Sequence, residues 1–528
     1  MQPIITNSAD GAQVWSFDGK RLVLTQTLSQ QQVKCSAAIT RSDNLMLVFL
    51  TGQQEITCRV YESTLKRDIL LKEVTHTMPH PIESFTLSHY GTLIQLHCNV
   101  QRPLDNFLLV DALSGTIVAS MHSTIRLAGF RSMSWPYCLS EDEDYVLFQD
   151  GWLLCLKQYD LASRSLKDYG YVSAIPRDQP WRLTAYHFTS SLKVPSDSLD
   201  KYSVIVCIPS QGGSSGYAIV YKLSQFVELS SAEVEIGRTT STKPMEIADK
   251  IMAKPYMYCM TATCDVFVFK PSESGAWFLL LEKTDVDTSK ANNYYGGTIL
   301  RHYCIINKAT TLITDGKSYV HDFSIRPLAP ADRSALASGK IDSLKALTEM
   351  FVVIYGVVPP KVCSYVVMLT NLDRKNASAE LQKDINFGNM PTNSTSWDVA
   401  GRYLLLRGEA GMNGDSRILR PIINNEPKYL AKGTIHSRTH ALFSPRGDVL
   451  LYLVTKPRFT VDNGIEIFDM NLKSLAAQPF EALSSAYFIP YCKADYAAVG
   501  LAEEVEGVYL SAIKTETKKY VPPSQRKK

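Results

Sequence analysis

Apolar residues fall in short runs of four to eight, separated by clusters of Gly, Ser, Asp, Asn and Pro, from about residue 10 to 512. This pattern predicts strands joined by short turns, with little 3.6-residue periodicity that would mark helices. A polar turn followed by a strand recurs as Thr40-Arg-Ser-Asp-Asn-Leu-Met-Leu-Val-Phe, Leu87-Ser-His-Tyr-Gly-Thr-Leu-Ile and Leu139-Ser-Glu-Asp-Glu-Asp-Tyr-Val-Leu-Phe. It returns as Ser396-Trp-Asp-Val-Ala-Gly-Arg-Tyr-Leu-Leu and Phe443-Ser-Pro-Arg-Gly-Asp-Val-Leu-Leu. Ser42, Ser88, Ser140, Ser396 and Ser444 mark the repeat, whose period of about fifty residues is that of a four-stranded propeller blade. A second repeat, a strand ending at an Asp before a turn, appears at Phe107–Asp111, Leu156–Asp160 and Ile465–Asp469.

One four-stranded sheet cannot cover both of its faces, whereas blades stacked round an axis cover one another. The reading is therefore all-β: a single large β-propeller of about nine four-stranded blades over residues 1–512, with a short basic C-terminal tail at 513–528. Two stretches depart from the unit and read as insertions with weak helical character, near 233–254 and 326–349. Neither is long enough to bury a core of its own. The tail, Lys514-Thr-Glu-Thr-Lys-Lys-Tyr-Val-Pro-Pro-Ser-Gln-Arg-Lys-Lys, is expected to be extended.

Composition narrows the class. Length alone would suggest roughly three or four domains, which the repeat overrides. Fifty-five basic and 52 acidic residues leave a net charge of +3, so any nucleic-acid contact must be local. The chain lacks a leader and a long apolar run, so a cytoplasmic protein that neither spans nor binds a membrane is expected. Eleven cysteines, an odd number, mostly within strand-like runs, point to reduced, buried thiols.

The search for chemistry returns little. Gly212-Gly-Ser-Ser-Gly has nucleophile-elbow spacing, but Tyr217-Ala-Ile-Val-Tyr reads as a strand where that motif needs a helix. His76, His80, His89 and His97 lack the cysteine partners of a zinc site. Asp285 and Asp287 would share a face of an extended segment, yet no third ligand or base follows at useful spacing. A non-enzyme without metal or cofactor is expected. The segment Thr284–Gly297, with those two acids and the pair Tyr294 and Tyr295, reads as a long decorated loop between strands. The tyrosines suit stacking on bases or packing on protein, and the acids suit ordering of the loop. Arg458 stands beside Asp462-Asn-Gly, a hairpin turn whose glycine is expected to supply the positive φ.

Five segments resemble the eukaryotic translation initiation factor 2A family. They are Thr284-Asp-Val-Asp with Tyr294-Tyr-Gly, Ile354-Tyr-Gly-Val-Val-Pro-Pro-Lys, Asn386-Phe-Gly-Asn-Met-Pro-Thr-Asn, Pro457-Arg-Phe-Thr-Val-Asp-Asn-Gly-Ile-Glu-Ile-Phe, and Tyr520-Val-Pro-Pro-Ser-Gln-Arg. The resemblance covers residues 260 to 526. It implies a nine-bladed propeller that binds the small (40S) ribosomal subunit and supports initiator-tRNA delivery, with mRNA and other initiation factors as further partners. A monomer is expected. Asp285, Asp287, Tyr294, Tyr295 and Arg458 are then candidates for ribosome or partner contact. Lys518, Lys519, Arg526, Lys527 and Lys528 are candidates for phosphate contact, which would be salt-sensitive. Thr392 and Val521 stand where the family has Arg, and the long lysine-rich tail of the family is not seen after the Pro-Pro segment. Two alternatives stay open. One is a protein-only scaffold of the WD-repeat kind. The other is a propeller subunit of another initiation-factor complex, which would be expected to carry an RNA-recognition domain ahead of its first blade.

Overall fold

The computed structural model describes residues 2–503 apart from 30–33, 123–134, 174–184, 191–199, 211–214, 240–253, 285–296, 338–345, 372–376, 410–413, 460–461 and positions 102, 152, 262, 263, 265, 315, 317, 424, 437 and 457. The described strands form nine four-stranded antiparallel sheets. Within each sheet the strands follow chain order A to D, and the A strands of neighbouring blades touch, as between blades 2 and 3, 4 and 5, 7 and 8, and 8 and 9. This is the propeller expected from the repeat.

Blade 1 joins the two ends of the described chain: Ser485–Phe488 is its A strand, and Gln2–Ser8, Gly11–Phe17 and Leu22–Ser29 are B to D. Ile4 pairs with Phe488 and Asn7 with Ser485, so the ring closes through an antiparallel seam rather than a covalent turn. The A strands of blades 2 to 9 begin at Cys35, Ile82, Cys138, Ala185, Val266, Val320, Ser394 and His440. Two of these intervals are long. That from Ala185 contains helix α1 (Ser231–Thr239), and that from Val320 contains helix α2 (Pro330–Ala337). A third helix, α3 (Lys493–Val499), follows the A strand of blade 1. Among the described residues no helix is long and apolar enough to cross a membrane.

Burial explains the run-like pattern. B strands such as Leu45–Leu50, Tyr202–Ile208 and Val449–Val454 are buried at every position, because blades cover both of their faces. Alternation is therefore weak there, and polar positions collect on outer strands such as Leu70–Thr77 and Ala309–Leu312. The core is a series of inter-blade layers. In one, Trp277 and Phe351 pack at 5.6 Å with Tyr365 beyond. Nine of the eleven cysteines are buried and none is in a disulfide.

The polar repeat proves to be the turn between A and B strands. Thr40, Ser88, Ser140, Ser272, Asp398 and Ser444 each accept a backbone N–H at the start of the returning strand, from Asn44, Leu93, Tyr145, Trp277, Tyr403 and Val449 at 2.7–3.4 Å. Three residues after each comes a left-handed residue: Asp43, Gly91, Glu143, Gly275, Gly401 and Gly447. Ser42 and Ser396 thus lie two positions off the register assigned from spacing, where Thr40 and Asp398 hold the turn. A threonine and a carboxylate do the work of the serine.

Each turn tip leans on the preceding blade. A Cβ at Gly275 would lie 1.7 Å from Ser190 O, and one at Gly401 2.2 Å from Pro327 O. Where the tip is not glycine, a carboxylate makes the contact. Glu143 Oε1 accepts from Tyr90 N at 2.5 Å, and Asp43 accepts from the N–H groups of Lys493 and Ala494 at 2.7 and 2.9 Å. The Gly-rich stretch at 212 joins Tyr202–Ile208 to Tyr217–Lys222, an antiparallel pair, with a strand where an elbow needs a helix.

Candidate partner-binding rim

Strictly alternating antiparallel strands send every B–C and D–A connection to one rim, and every A–B and C–D turn to the other. The A–B rim carries the capped turns just described. Four of the five family-like segments lie on the B–C rim of blades 6 to 9.

The first is the stem of the central loop. Thr284 ends strand B of blade 6 (Trp277–Thr284) and Gly297 begins strand C (Gly297–Cys304), and the two residues pair. Gly297 N donates to Thr284 Oγ1 at 3.0 Å, which closes the stem. Below it Glu282, 2% exposed, meets the part-buried Arg301 at 2.8 Å and Tyr303 Oη at 3.4 Å, so the stem rests on an ion pair whose carboxylate is buried. Asp285, Asp287, Tyr294 and Tyr295 lie outside the described residues. Their connection leaves from, and returns to, the B–C rim.

The second segment, Tyr355–Lys361, joins strands Ala346–Tyr355 and Lys361–Thr370 of blade 7. Gly356, at φ +103°, donates its N–H to Tyr319 O at 2.8 Å, and its carbonyl meets His321 Nε2 at 2.8 Å. Pro360 O accepts Met390 N at 2.9 Å. On this braced loop Val357 and Val358 are 87% and 65% exposed, an apolar tip that propensity reading passed over. The available signal was the pair of valines before two prolines, which cannot continue a buried strand.

The third segment, Asn386–Asn393, runs from strand D of blade 7 to strand A of blade 8. Asn389 pairs with Lys361 and Gly388 with Val362, so the second and third segments lie side by side. Asn393 is the hinge of the site. Its Nδ2 donates to Glu409 O at 3.0 Å, and its Oδ1 accepts Glu409 N at 2.6 Å. Both polar groups of one backbone residue are thereby held by one amide side chain, which only Asn or Gln can do with a single head group. Thr392 is fully buried, so in this chain the position expected to present a family arginine to phosphate faces the protein interior.

The clamped Glu409 points its carboxylate at two arginines, Arg407 at 2.5 Å and Arg458 at 3.5 Å. Arg407 is buried and also donates to Ser394 Oγ at 3.1 Å. Arg458 belongs to the fourth segment, between strands Val449–Val454 and Gly464–Asp469 of blade 9. It is an anchored cation that ties blade 9 to blade 8. The neighbouring turn differs from expectation: Asp462, at φ +55°, takes the left-handed conformation. Gly464 is needed for space, since a Cβ there would lie 2.8 Å from Gln478 O. Asn463 seats the turn by accepting Leu483 N at 3.2 Å and donating to Phe459 O at 3.0 Å. Beside it Arg438 pairs with Glu466.

The basic tail residues Lys518, Lys519, Arg526, Lys527 and Lys528 lie outside the described residues. The described chain ends at Glu503 on the opposite rim. Arg402 Nη1 donates to Ala502 O at 2.7 Å, and Ala502 N donates to Arg446 O at 3.1 Å. The fold thus starts the loop candidates and the tail candidates from different rims. Among the described residues no group of three His, Cys, Asp or Glu side chains is placed to hold a metal.

Comparison with known proteins finds similarity over blades 7 to 9. Residues 339–486 match the family model described as eukaryotic translation initiation factor eIF2A. That span contains the second, third and fourth segments. Eukaryotic translation initiation factor 2A of Schizosaccharomyces pombe is 24% identical over 290 residues, covering 55% of this chain and 40% of that protein. The protein of the same name in Saccharomyces cerevisiae is 23% identical over 376 residues, covering 66% of this chain and 48% of that one. The chain thus spans less than half the length of these relatives. A crystal structure described as that of a eukaryotic initiation factor superposes with a TM-score of 0.60 over 93% of this chain and 98% of its own, at 15% identity, which attests the shared fold. Through these matches and the motif-bearing rim, the chain is similar to the eukaryotic translation initiation factor 2A family.

Proposed function

We propose that the protein is a non-catalytic translation initiation factor of the cytoplasm that docks on the small (40S) ribosomal subunit through the B–C rim of blades 6 to 9, and so supports delivery of initiator tRNA. The observation that carries this reading is the gathering of four family-like segments on one rim, the third and fourth linked through Asn393, Glu409 and Arg458 and the second paired with the third. The capped A–B turns pack on the preceding blade, while the B–C connections of blades 6 to 9 carry longer loops of the kind that present side chains to a partner. In this reading the loop bearing Tyr294 and Tyr295 makes stacking or packing contacts, and Asp285 and Asp287 order it. The basic residues of the tail add salt-sensitive contacts to RNA, including mRNA.

The test is co-sedimentation of the full chain with purified 40S subunits at low salt, repeated with Tyr294→Ala/Tyr295→Ala and with residues 514–528 removed. Binding that falls with the tyrosine pair and persists without the tail supports docking by the rim. No binding at low salt refutes the reading.

A second reading has its own observation. Val357 and Val358 give the rim an apolar tip suited to a protein groove. A protein-only scaffold would bind its partner through them, and that binding would survive nuclease and high salt.

A further inference from the structure

The A–B rim holds an apolar cavity that the proposed function leaves unused. It has a volume of about 310 Å³ and is walled by Phe443, Pro445, Tyr487, Phe488, Pro490 and Tyr496. Phe443 ends the A strand of blade 9 (His440–Phe443), and Tyr487 and Phe488 end that of blade 1. Tyr496 comes from α3, which the chain lays across this rim after closing the ring. The walls are fixed. Tyr487 Oη donates to Cys35 O at 2.7 Å, and Tyr496 Oη donates to Pro445 O at 3.3 Å, so both phenols are tied down with their rings beside the cavity. Asp495, 5% exposed, accepts Thr64 N at 2.9 Å, and Asp43 caps the first turn of α3. At the cavity edge Val399 is 39% exposed.

Rigid aromatic rings set beside prolines form the kind of surface that accepts a proline-rich strand, whose extended conformation is preformed and loses little entropy on docking. The volume lies at the small end of ligand cavities, which run from about 300 to 1,000 Å³. It suits one or two side chains rather than a whole small-molecule ligand.

We infer that this cavity is the docking site of the chain's own Tyr520-Val521-Pro522-Pro523 segment. Ala502 is held by Arg402 and Arg446, and Arg446 follows the cavity residues Ser444 and Pro445, so the chain leaves the described fold at the cavity mouth. The 16 residues between Glu503 and Tyr520 can span up to about 3.3–3.6 Å each, far more than the return requires. A tether of this kind holds its ligand at an effective concentration of about millimolar, so even a weak contact is occupied. Docking there sets Lys518, Lys519 and Arg526 on the A–B rim, away from the B–C rim. The inference does not depend on ribosome binding.

The test is hydrogen exchange, read by mass spectrometry, on the full chain and on the full chain carrying Tyr520→Ala/Pro522→Ala/Pro523→Ala. The expected result is exchange several-fold faster across residues 489–500 in the variant, restored by a synthetic peptide of residues 518–526 at millimolar concentration. Adding Val399→Asp to that variant, with an unchanged thermal transition as the folding control, is expected to abolish the restoration. Unchanged exchange in the triple variant overturns the inference. So does faster exchange produced instead by Tyr509→Ala/Leu510→Ala, which would make the nearer apolar stretch the occupant.

Discussion

Single side chains lock the blades of this propeller, and two of them have measurable signatures. Glu349, 2% exposed, accepts from Ser274 N at 3.3 Å, Ser274 Oγ at 2.7 Å and Trp277 Nε1 at 2.5 Å, tying blade 7 to the A–B turn of blade 6. Burial outweighs these donors and pushes its carboxyl from 4.5 up to about 7. A carboxyl raised in the folded state binds more protons there than in the unfolded chain. Its contribution to stability is therefore fullest below the unfolded value and is lost as pH rises through about 7. Chemical denaturation between about pH 5 and pH 8 should show stability falling with pH from this group, and Glu349→Gln should flatten that slope whatever its baseline. An equal slope in both proteins would assign the effect elsewhere. Asn393 gives the second signature. Asn393→Ala removes two hydrogen bonds to the backbone of Glu409 and should cost about 1–3 kcal/mol, read as a lower denaturation midpoint. Neither role was legible in the sequence: Glu349 stood in a stretch read as an insertion, and Asn393 only as the last letter of a motif. Glu349 acts across blades on residues up to 75 positions away, and Asn393 clamps a residue 16 positions on within its own blade, separations at which local pattern carries no information.

At the scale of elements, the A–B turn was legible because its chemistry is local. A hydroxyl or carboxylate caps a backbone N–H four or five residues on, and a left-handed residue follows it by three, so the turn recurs as a phrase. The blade-6 copy beginning at Ser272 escaped notice because it follows Lys270-Pro271 rather than an unbroken apolar run. The register at Ser42 and Ser396 slipped because spacing alone cannot tell which of two nearby polar residues does the capping. Gly275 measures what the turn contributes. Its φ of +69° and the 1.7 Å approach of a Cβ to Ser190 O leave no room for a side chain. Gly275→Ala should cost at least ~1–2 kcal/mol from the left-handed conformation alone, and more from displacing blade 5. Glycine at position 19, also left-handed, has nothing within 4 Å of a Cβ, so Gly19→Ala should cost less. Equal losses in thermal stability would show that inter-blade packing of these tips contributes nothing.

For the whole molecule, the nine-blade count followed from a period of about fifty residues, because each blade must repeat the same two-sided burial. The ring closure was not legible, since it pairs Gln2–Ser8 with Ser485–Phe488 from opposite ends of the described chain. Nor was the division of labour between rims, which follows from strand direction and so exists only once the strands are paired. The A–B rim carries the capped turns and the strap of α3, and the B–C rim of blades 6 to 9 carries the family-like segments. The most direct test compares exposed apolar residues on the two rims by co-sedimentation with purified 40S subunits. Val357→Ser/Val358→Ser changes the B–C rim, and Leu161→Ser, at a position 50% exposed in a C–D turn, changes the opposite one. The valine pair is expected to weaken binding several-fold, while the leucine variant binds as the parent protein does. Loss with Leu161→Ser and none with the valine pair would contradict it.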